Sequence, residues 1–274
     1  MNDYEEKKEQ LRRILEQDTR ENVIVAFSGG VDSSLLLKLA CEAAKSRGTT
    51  VYAVTMQTKL HPVGELRAAE ALAREIGAEH IAIAVDELQD AGIMQNPVDR
   101  CYRCKKCLFR RIKEKAEELK ITTIIEGTNE DDLHVYRPGI RALKELGITS
   151  PLAQAGMTKE EVRRLAAEYG MSVAAKPAAP CLATRFPYGT ALTYEKLDSV
   201  GRGEEFLKAL GLRNVRLRVH DVIARIEVDQ AEFPVVLEQK ERITEHLKAL
   251  GYSYVTLDLE GFRSGSMDIG LTAE

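Results

Sequence analysis

The sequence predicts an α/β protein in which a parallel β-sheet carries helices on both faces and is followed by a smaller α+β domain. Short apolar runs alternate with amphipathic helical patterns from about residue 23 to residue 169. Such alternation is typical of a parallel sheet whose connections are helices. The rhythm stops at a segment with three prolines, 176–189, and a different order of elements follows it.

The first part opens with an amphipathic helix over 4–17, with Leu11, Ile14 and Leu15 on its apolar face. The apolar run 23–27 fits a buried parallel strand, because both of its faces would be covered by helices. The remaining elements follow from apolar periodicity and from glycines at helix ends. We predict strands at 23–27, 51–56, 80–85 and 122–126, and helices at 33–47, 64–76, 105–119, 139–146 and 158–169.

Beyond the proline-rich segment the pattern predicts strands that follow one another and helices at 193–209 and 232–249. The strands are expected at 213–219, 222–228 and 252–258. We therefore predict two domains, 1–180 for nucleotide binding and 181–274 for substrate binding and oligomerisation. Prolines and a glycine at the boundary favour an irregular connection.

Composition limits the functional classes. The chain has 274 residues, with 44% hydrophobic and 30% charged residues, which are ordinary values for a globular protein. No apolar run approaches the roughly 20 residues that span a bilayer, and residues 1–8 lack the apolar core of a signal peptide. Five cysteines without an export signal favour a reducing compartment. We expect a cytoplasmic protein that is not inserted into a membrane.

The net charge of −4 hides an uneven distribution. Residues 100–115 hold eight basic side chains and one acid, a local charge of +7, and residues 213–225 hold four arginines and one acid, a local charge of +3. The rest of the chain then carries −14. Basic patches on an acidic body favour the capture of small anionic ligands, and binding of nucleic acid is not expected.

A glycine-rich loop, 27–34, lies between the first predicted strand and its helix. Gly29 and Gly30 let backbone N–H groups approach an anion. The hydroxyls of Ser28, Ser33 and Ser34 add donors, and the N-terminus of the next helix favours negative charge. The loop predicts a phosphate site, although it is neither a Walker A loop nor a G-x-G-x-x-G turn.

This loop resembles the PP-loop ATP pyrophosphatase family, whose signature S-G-G-x-D-S is matched by Ser28, Gly29, Gly30, Asp32 and Ser33. The resemblance implies an adenine nucleotide α-hydrolase-like fold and cleavage of ATP between its α- and β-phosphates. AMP would be transferred to a carboxylate or carbonyl oxygen. By the same resemblance the loop would hold pyrophosphate, and Asp32 would help to bind Mg²⁺.

Two further segments lie at the same predicted edge of the sheet. Met56 ends the second strand, where adenine could bind edge-on to backbone groups. Gly127 and Thr128 follow the fourth strand and lead into three acids, 130–132, of which Asp131 is our candidate ligand of Mg²⁺. A solvated acidic turn is the alternative interpretation of those acids.

Three of the five cysteines are clustered. Cys101 and Cys104 form a C-x-x-C, and Cys107 extends it by another turn. Zinc, an iron–sulfur cluster and a redox pair all fit this spacing. The basic neighbours are expected to lower the pKa values of these thiols. Cys41 lies in an apolar helix and is expected to be buried.

Three motifs together resemble the LarE family of ATP-dependent sulfur transferases. They are N-x-x-x-R-C-Y-x-C-K (96–105), P-C-L-A-T-R-F-P-Y-G-T (180–190) and G-F-R-S-G-S-M (261–267). The resemblance extends from about residue 23 to residue 268. It implies that carboxylates of pyridinium-3,5-biscarboxylic acid mononucleotide are adenylated by ATP and become thiocarboxylates, a step in the synthesis of the nickel-pincer nucleotide cofactor of lactate racemase.

The resemblance also implies a source of sulfur. In one version Cys181 gives up its own sulfur and becomes dehydroalanine. In the other version Cys101, Cys104 and Cys181 hold a [4Fe–4S] cluster that carries the transferred sulfide. We favour the cluster because Cys101 and Cys104 are both present, and we leave the role of Cys107 open.

The implied substrate carries one phosphate and two carboxylates, so arginines should line its site. Arg185 follows Cys181 closely, and the alternate spacing of Arg216 and Arg218 places both on one strand face. The remaining candidates are acids similar to those of the family and possible phosphate ligands near the C-terminus, namely Glu204, Glu227, Arg263, Ser264 and Ser266. The family further implies a homo-oligomer and partner proteins of the same cofactor pathway.

Three other functions remain open. An NAD or GMP synthetase-like amidotransferase would use the same loop, but a glutaminase portion is missing. A tRNA-thiolating enzyme can combine this loop with three cysteines, yet aromatic residues make up only 5% of the chain and basic stacking surfaces are not evident. A non-catalytic nucleotide or metal sensor would not need a complete phosphate loop together with a second cysteine segment.

Overall fold

The computed structural model describes residues 3–61, 64–135, 137–176, 180–263 and 265–268. The chain folds into two compact units. Unit 1 consists of Met1–Thr58, Gly64–Gly92 and Asp99–Ala179. Unit 2 consists of Lys59–Val63, Ile93–Val98 and Pro180–Glu274. Two short segments from the first half of the chain therefore fold with the C-terminal part, which the sequence pattern does not reveal. The functions assigned above to the two domains stay predictions.

Unit 1 alternates strands and helices in the predicted way. Its strands are β1 (Val23–Ala26), β2 (Val51–Gln57), β3 (Glu79–Ala84) and β4 (Thr123–Ile125). Its helices are α1 (Asp3–Asp18), α2 (Val31–Lys45), α3 (Glu65–Ile76), α4 (Glu87–Asp90), α5 (Arg100–Leu119), α6 (Pro138–Leu146), α7 (Pro151–Gln154) and α8 (Lys159–Glu168). Short 3-10 helices lie at Asp131–His134 and Ser172–Ala175.

The four strands of unit 1 form a parallel sheet in the order β3-β2-β1-β4. Val23 lies opposite Val51 on one side and Thr123 on the other, so β1 is central. The chain moves outward from β1 to β2 and β3, and then crosses to the opposite side of β1 to form β4. The sheet consequently has a switch in strand order between β1 and β4.

Side chains of β1 explain why helices cover both faces of this sheet. Val23 and Val25 pack into a core with α1, α2, α3 and α8, whereas Ile24 packs into a second core with α5 and α6. All three residues are fully buried. A strand that is buried on both faces must be apolar throughout, as the run in the sequence is. The predicted α/β fold class is confirmed.

Unit 2 contains a small mixed sheet covered by helices. Its strands are β5 (Arg216–His220), β6 (Ile223–Glu227) and β7 (Tyr254–Leu257), in the order β5-β6-β7. The β5–β6 pair is antiparallel and the β6–β7 pair is parallel. The helices are α9 (Tyr194–Ala209), α10 (Phe233–Glu238) and α11 (Lys240–Ala249), with 3-10 helices at Leu182–Arg185 and Gln230–Glu232.

The largest differences from the sequence predictions lie at three boundaries. Helix α5 begins at Arg100 instead of 105, so all three clustered cysteines lie on a helix. The helix predicted over 232–249 is divided at Gln239, which separates α10 from α11. The strand predicted from 213 begins at Arg216. The apolar period of α5 is interrupted at its start by cysteines and arginines, and this hid the first helical turn. Among the described residues, no helix is long and apolar enough to cross a membrane.

Helix α1 provides a test of the core of unit 1. The Leu11 side chain is fully buried, so the substitution Leu11→Ala removes apolar contacts and leaves a cavity. We expect the free energy of unfolding to fall by about 2–5 kcal/mol, measured by urea denaturation. The matched control is Leu133→Ala, because Leu133 is 44% exposed in the same unit and should change stability by less than about 0.5 kcal/mol. Equal effects of the two substitutions would contradict the assigned core.

Candidate active site

In unit 1 the carboxyl ends of β1 and β4 are neighbours where the strand order reverses, and we call the space outside them the crevice. In open parallel sheets, ligands bind where the strand order reverses, outside the carboxyl ends of the strands. The loop after β1 contains the predicted phosphate-binding residues, and the loop after β4 contains Gly127 and Thr128. The topology therefore brings the two predicted nucleotide-binding segments to one place.

The phosphate loop is held by its own hydroxyl groups. Ser33 Oγ donates to the carbonyl of Gly30 at 3.2 Å and accepts from the backbone N–H of Ser28 at 3.3 Å. The hydroxyls of Ser28 and Ser33 lie 3.1 Å apart. Gly29 has a φ of +70° and its Cβ would lie 3.3 Å from Ala69 Cβ, so this turn requires glycine. Ser34 is fully buried, and its Oγ has no hydrogen-bond partner among the described residues.

Gly127 brings the loop after β4 against the N-terminus of α2. A Cβ on Gly127 would lie 2.9 Å from the backbone nitrogen of Ser33 and 3.2 Å from Asp32 Cβ. A side chain at position 127 would displace either the phosphate loop or strand β4. The first N–H groups of α2, which have no partner inside the helix, lie beside this contact, and the N-terminus of a helix favours an anion.

Asp32 is held by two residues that the sequence patterns did not reveal. Its carboxylate forms an ion pair with Lys159 at the start of α8, and Asn129 Nδ2 donates to Asp32 Oδ1 at 3.2 Å. Asp131 Oδ2 accepts from the backbone N–H of Lys159 at 2.7 Å. Asn129 follows the predicted Gly-Thr pair directly, whereas nothing in the sequence indicates Lys159. Binding of Mg²⁺ by Asp32 and Asp131 stays a prediction.

Glu126 is another polar residue of the crevice that the sequence patterns did not single out. It follows β4 directly and is only 5% exposed. Its carboxylate accepts from the backbone N–H of Thr128 at 2.9 Å, from Ser150 Oγ and from Lys105 Nζ at 3.3 Å. Thr128 itself is buried. Met56 lies near the end of β2 and packs against the core on the α5 face.

The clustered cysteines lie along one side of α5. Cys101 is exposed, and Cys104 Sγ donates to Glu87 Oε1 at 3.1 Å. Glu87 is 2% exposed and also accepts from the Thr58 hydroxyl. The expectation of a lowered pKa is wrong for Cys107, because burial, together with the charge of Asp90, raises the pKa of its thiol.

Cys41, which was expected to be buried, is partly buried. Burial raises the pKa of its thiol to about 11, and the side chain packs against the apolar cluster around α2. In the described parts of the chain, no three histidine, cysteine, aspartate or glutamate side chains are grouped so that they could hold a metal ion. Cys101 and Cys104 are one helical turn apart, which suits two thiolate ligands of one metal centre. Cys181 belongs to unit 2, and binding of a cluster by Cys101, Cys104 and Cys181 stays a prediction.

Several residues of the basic segment 100–115 pair with acids on α5 itself or on neighbouring elements. Lys106 pairs with Glu145 at 2.6 Å, and Arg103 pairs with Asp99 at 2.8 Å. Arg111 pairs with Asp90 and Glu114. The local charge of +7 is therefore partly compensated, which sequence counting could not show.

In unit 2, Arg185 and Glu204 form a fully buried ion pair with both side chains 2% exposed. The guanidinium donates to both carboxylate oxygens, at 2.7 and 2.9 Å, and also to the backbone carbonyls of Pro180 and Cys181 at 3.1 and 3.3 Å. Burial opposes the charge of Glu204, but the hydrogen bond and charge of Arg185 outweigh it and lower the pKa of that carboxyl. The pair fixes the backbone on both sides of the Cys181 peptide unit.

Arg218 and Glu227 form a second buried pair, at 2.9 Å, in the same unit. Arg218 also donates to the carbonyl of Thr184, and Ser266 Oγ donates to Glu227 Oε1 at 2.7 Å. The first contact connects β5 to the segment after Cys181, and the second connects β6 to the C-terminal motif. Ser264 lies outside the described residues.

Arg216 lies beside these pairs on β5. Burial lowers the pKa of Arg216, and the positive charges of Arg185 and Arg218 lower it further. Three guanidinium groups thus face two carboxylates, Glu204 and Glu227, and leave one excess positive charge in a desolvated group. Arginine stays protonated even in such surroundings. The arrangement can attract an anion.

Two residues next to this group were not predicted. Arg225 donates to Glu227 at 3.2 Å and pairs with Asp258 at 3.2 Å. Asp258, in turn, pairs with the predicted Arg263 at 3.3 Å. Arg225 lies directly opposite Arg218 in the antiparallel β5–β6 pair, and this pairing of the two predicted strands is the signal that could have indicated it. The binding roles of the predicted residues stay predictions.

Comparison with known proteins agrees with this architecture. The family described as PP-loop domain matches residues 3–136. A pyridinium-3,5-bisthiocarboxylic acid mononucleotide synthase of Lactiplantibacillus plantarum is 39% identical over 92% of this chain and 91% of its own length. An uncharacterized protein of Synechocystis sp. is 39% identical over 98% of this chain and 99% of its own length. A tRNA-specific 2-thiouridylase of Rickettsia bellii is 27% identical over 60% of this chain and 54% of its own length.

The fold and the phosphate loop define a PP-loop, ATP-utilising protein. Within that class, the chain belongs to the LarE family, the family of the L. plantarum synthase. Both the PP-loop resemblance and the LarE resemblance are confirmed.

The contact at Gly127 generates a test of the crevice. The substitution Gly127→Ala places a methyl group against the Ser33 nitrogen, so we expect the KM for ATP to rise at least about 10-fold, the equivalent of about 1.4 kcal/mol. Pyrophosphate exchange at varied ATP measures it. The control is Gly201→Ala, because the nearest atom there lies at 3.6 Å and alanine favours a helix. An unchanged KM in Gly127→Ala would show that the crevice does not bind ATP.

Proposed function

We propose that this protein is an ATP-dependent sulfur transferase that converts carboxylates of pyridinium-3,5-biscarboxylic acid mononucleotide into thiocarboxylates. ATP adenylates a carboxylate and pyrophosphate leaves. A sulfur nucleophile then attacks the acyl carbon, and AMP leaves. Two such cycles give the bis-thiocarboxylate from which the nickel-pincer nucleotide cofactor is built.

One observation carries this proposal: the similarity to the L. plantarum synthase covers 92% of the chain, and therefore includes most of both units. The match to the tRNA 2-thiouridylase covers 60%, and much of the basic segment on α5 is paired with acids. These facts favour a small anionic substrate over tRNA. The family's common loop would also serve an amidotransferase, but the relative named for bisthiocarboxylic acid synthesis favours sulfur transfer.

The phosphate loop supports the adenylation half of the reaction. The hydroxyl of Ser28 and the N–H groups at the start of α2 would bind the departing pyrophosphate. Mg²⁺ would be held by Asp32, with Asp131 as its second carboxylate, and it would neutralise the phosphate charge. Lys159, which already contacts Asp32, would add a positive charge beside the leaving group.

The excess positive charge of Arg216, Arg218 and Arg185 supports binding of the anionic substrate in unit 2. Arg216 and Arg218 would contact its phosphate or carboxylates, since bidentate pairing suits these groups. Arg185 is already saturated by Glu204 and backbone carbonyls. Its role is therefore to fix the loop that carries Cys181. Glu227 holds Arg218 and Arg225 in place, and Arg263 and Ser266 would complete the anion site.

Sulfur would come from a [4Fe–4S] cluster bound by Cys101, Cys104 and Cys181, which supplies a sulfide nucleophile when bound. The alternative is that Cys181 itself attacks the adenylate. Loss of its Cα proton and cleavage of its Cβ–S bond would then leave the sulfur on the product and dehydroalanine in the chain. We further propose a cytoplasmic homo-oligomer that receives its substrate from other proteins of the cofactor pathway.

The substrate assignment is tested by ATP–pyrophosphate exchange that depends on the pyridinium nucleotide. In the variant Arg216→Ala, loss of a charge-assisted contact of about 1.5–3 kcal/mol should raise the KM for that substrate about 10- to 100-fold. The KM for ATP should stay the same. Arg202→Ala is the control, because the Arg202 side chain is 62% exposed and pairs only on the helix surface. ATP–pyrophosphate exchange that depends on tRNA and not on the pyridinium nucleotide would contradict the proposal.

The sulfur source is tested by iron and acid-labile sulfide analysis after anaerobic purification. We expect iron in the wild type and its loss in Cys101→Ala, because three thiolates must hold the cluster. Cys41→Ala should keep the iron, since Cys41 packs against the core of unit 1 and burial raises the pKa of its thiol to about 11. A colourless wild type in which Cys181 loses the elements of H₂S during turnover would contradict the cluster. It would instead favour the route in which Cys181 gives up its own sulfur.

A further inference from the structure

Glu126 is a buried carboxylate in a crevice that is expected to hold a polyphosphate. It follows the last residue of β4, and its side chain is 7% exposed. A negative charge at this position would repel ATP unless something nearby neutralised it, because electrostatic interactions weaken little in a desolvated site. The contacts of Glu126 therefore have consequences for nucleotide binding.

The oxygens of Glu126 are already occupied. Oε1 accepts from the backbone N–H of Thr128 and from Ser150 Oγ, and Oε2 accepts from Lys105 Nζ. A carboxylate with three donors has little capacity left for a metal ion or for substrate. Glu126 is thus suited to holding other groups in place.

One of those contacts fixes the nucleotide loop. By accepting from Thr128 N–H, Glu126 bends the backbone directly after β4. The residue inside this bend is Gly127, which lies against the Ser33 nitrogen. The residue after the bend is Asn129, whose side chain donates to Asp32. A change in the Glu126 contact would therefore be transmitted to the phosphate loop at two points.

Another contact joins the bend to the cysteine helix. Lys105 follows Cys104 on α5, and its side chain is confined by α6. A Cβ on Gly139 would lie only 2.9 Å from Lys105 Cδ. The ammonium group also lies 5.7 Å from the centre of the Phe109 ring. The path of Lys105 toward Glu126 is consequently set by packing.

We propose that Glu126 is a positioning residue for ATP and that Lys105 is the counterion that makes its charge tolerable beside the polyphosphate. Glu126 holds the 127–129 bend against the phosphate loop. Lys105 cancels the repulsion that the same carboxylate would exert on ATP. The inference rests on the proposed function only in taking ATP as the nucleotide.

The two roles predict effects that do not add. Glu126→Gln keeps an acceptor for Thr128 N–H and should raise the ATP dissociation constant only about 3-fold. Lys105→Met leaves a buried, unpaired carboxylate near the phosphates and should raise it at least about 10-fold. The double variant Glu126→Gln/Lys105→Met lacks the repulsive charge. It should therefore bind ATP more tightly than Lys105→Met alone does, because the effects of substituting two residues in contact are coupled.

The experiment measures binding of Mg-ATP to the full-length chain by calorimetry, without the pyridinium nucleotide. The matched control is the Lys106–Glu145 pair, which joins α5 to α6 at 2.6 Å in the same way but does not touch residues 127–129. Lys106→Met and Glu145→Gln should leave the dissociation constant unchanged. Thermal unfolding of each variant separates a loss of folding from a loss of binding, and exchange kinetics should show a raised KM for ATP with kcat within about 2-fold.

Two outcomes would overturn the proposal. One is equal affinity for ATP in Lys105→Met and in the Lys106→Met control. The other is a double variant that binds ATP more weakly than Lys105→Met, because the charge of Glu126 would then favour binding. If the pyridinium substrate is wrong, the wild type still binds ATP and this test stands. If the wild type does not bind ATP, the proposed function and this inference both fail.

Discussion

The nucleotide crevice depends on the contact between the backbone at Gly127 and the backbone nitrogen of Ser33. Parallel strands β1 and β4 are neighbours, so the loops that leave them start within a strand spacing of each other. Without a Cβ on Gly127, the loop after β4 can lie directly on the first turn of α2. The orientation of the phosphate loop, the position of Asn129 and the ion pair of Asp32 with Lys159 all follow from this approach. The glycine is therefore required by packing between backbones.

The sequence patterns predicted the parts of the site whose residue types are locally unusual. Consecutive glycines with flanking serines, placed between a buried strand and a helix, suit an anion far better than they suit core packing, so the phosphate loop could be located from its own residues. Gly127 and Thr128 could be placed because carboxyl ends of parallel strands share one edge. Lys159 and Glu126 could not be selected, because a lysine at a helix start and a glutamate at a strand end are common. Only the topology brings them to the crevice.

The arginines of unit 2 show a second limit of sequence reasoning. Alternation placed Arg216 and Arg218 on one strand face, but it could not distinguish an arginine that contacts a ligand from one that supports a loop. Arg185 illustrates this limit, because Glu204 and backbone carbonyls already accept hydrogen bonds from its guanidinium. Burying such a pair has a large desolvation cost, and removing one partner leaves an uncompensated charge. A fully buried pair beside Cys181 therefore gives that loop one well-defined conformation, at some expense of stability.

A common electrostatic arrangement connects the two carboxylates of the crevice. Asp32 is paired with Lys159 from α8, and Glu126 is paired with Lys105 from α5. Each acid holds a backbone or side-chain group in position, and each lysine comes from a different helix. A site for a polyphosphate can contain carboxylates only if their charges are compensated when the ligand is bound. Asp32 is partly exposed while Glu126 is buried, so solvent screens the charge of Asp32 more than that of Glu126. The difference in burial therefore makes the lysine partner more important for Glu126 than for Asp32.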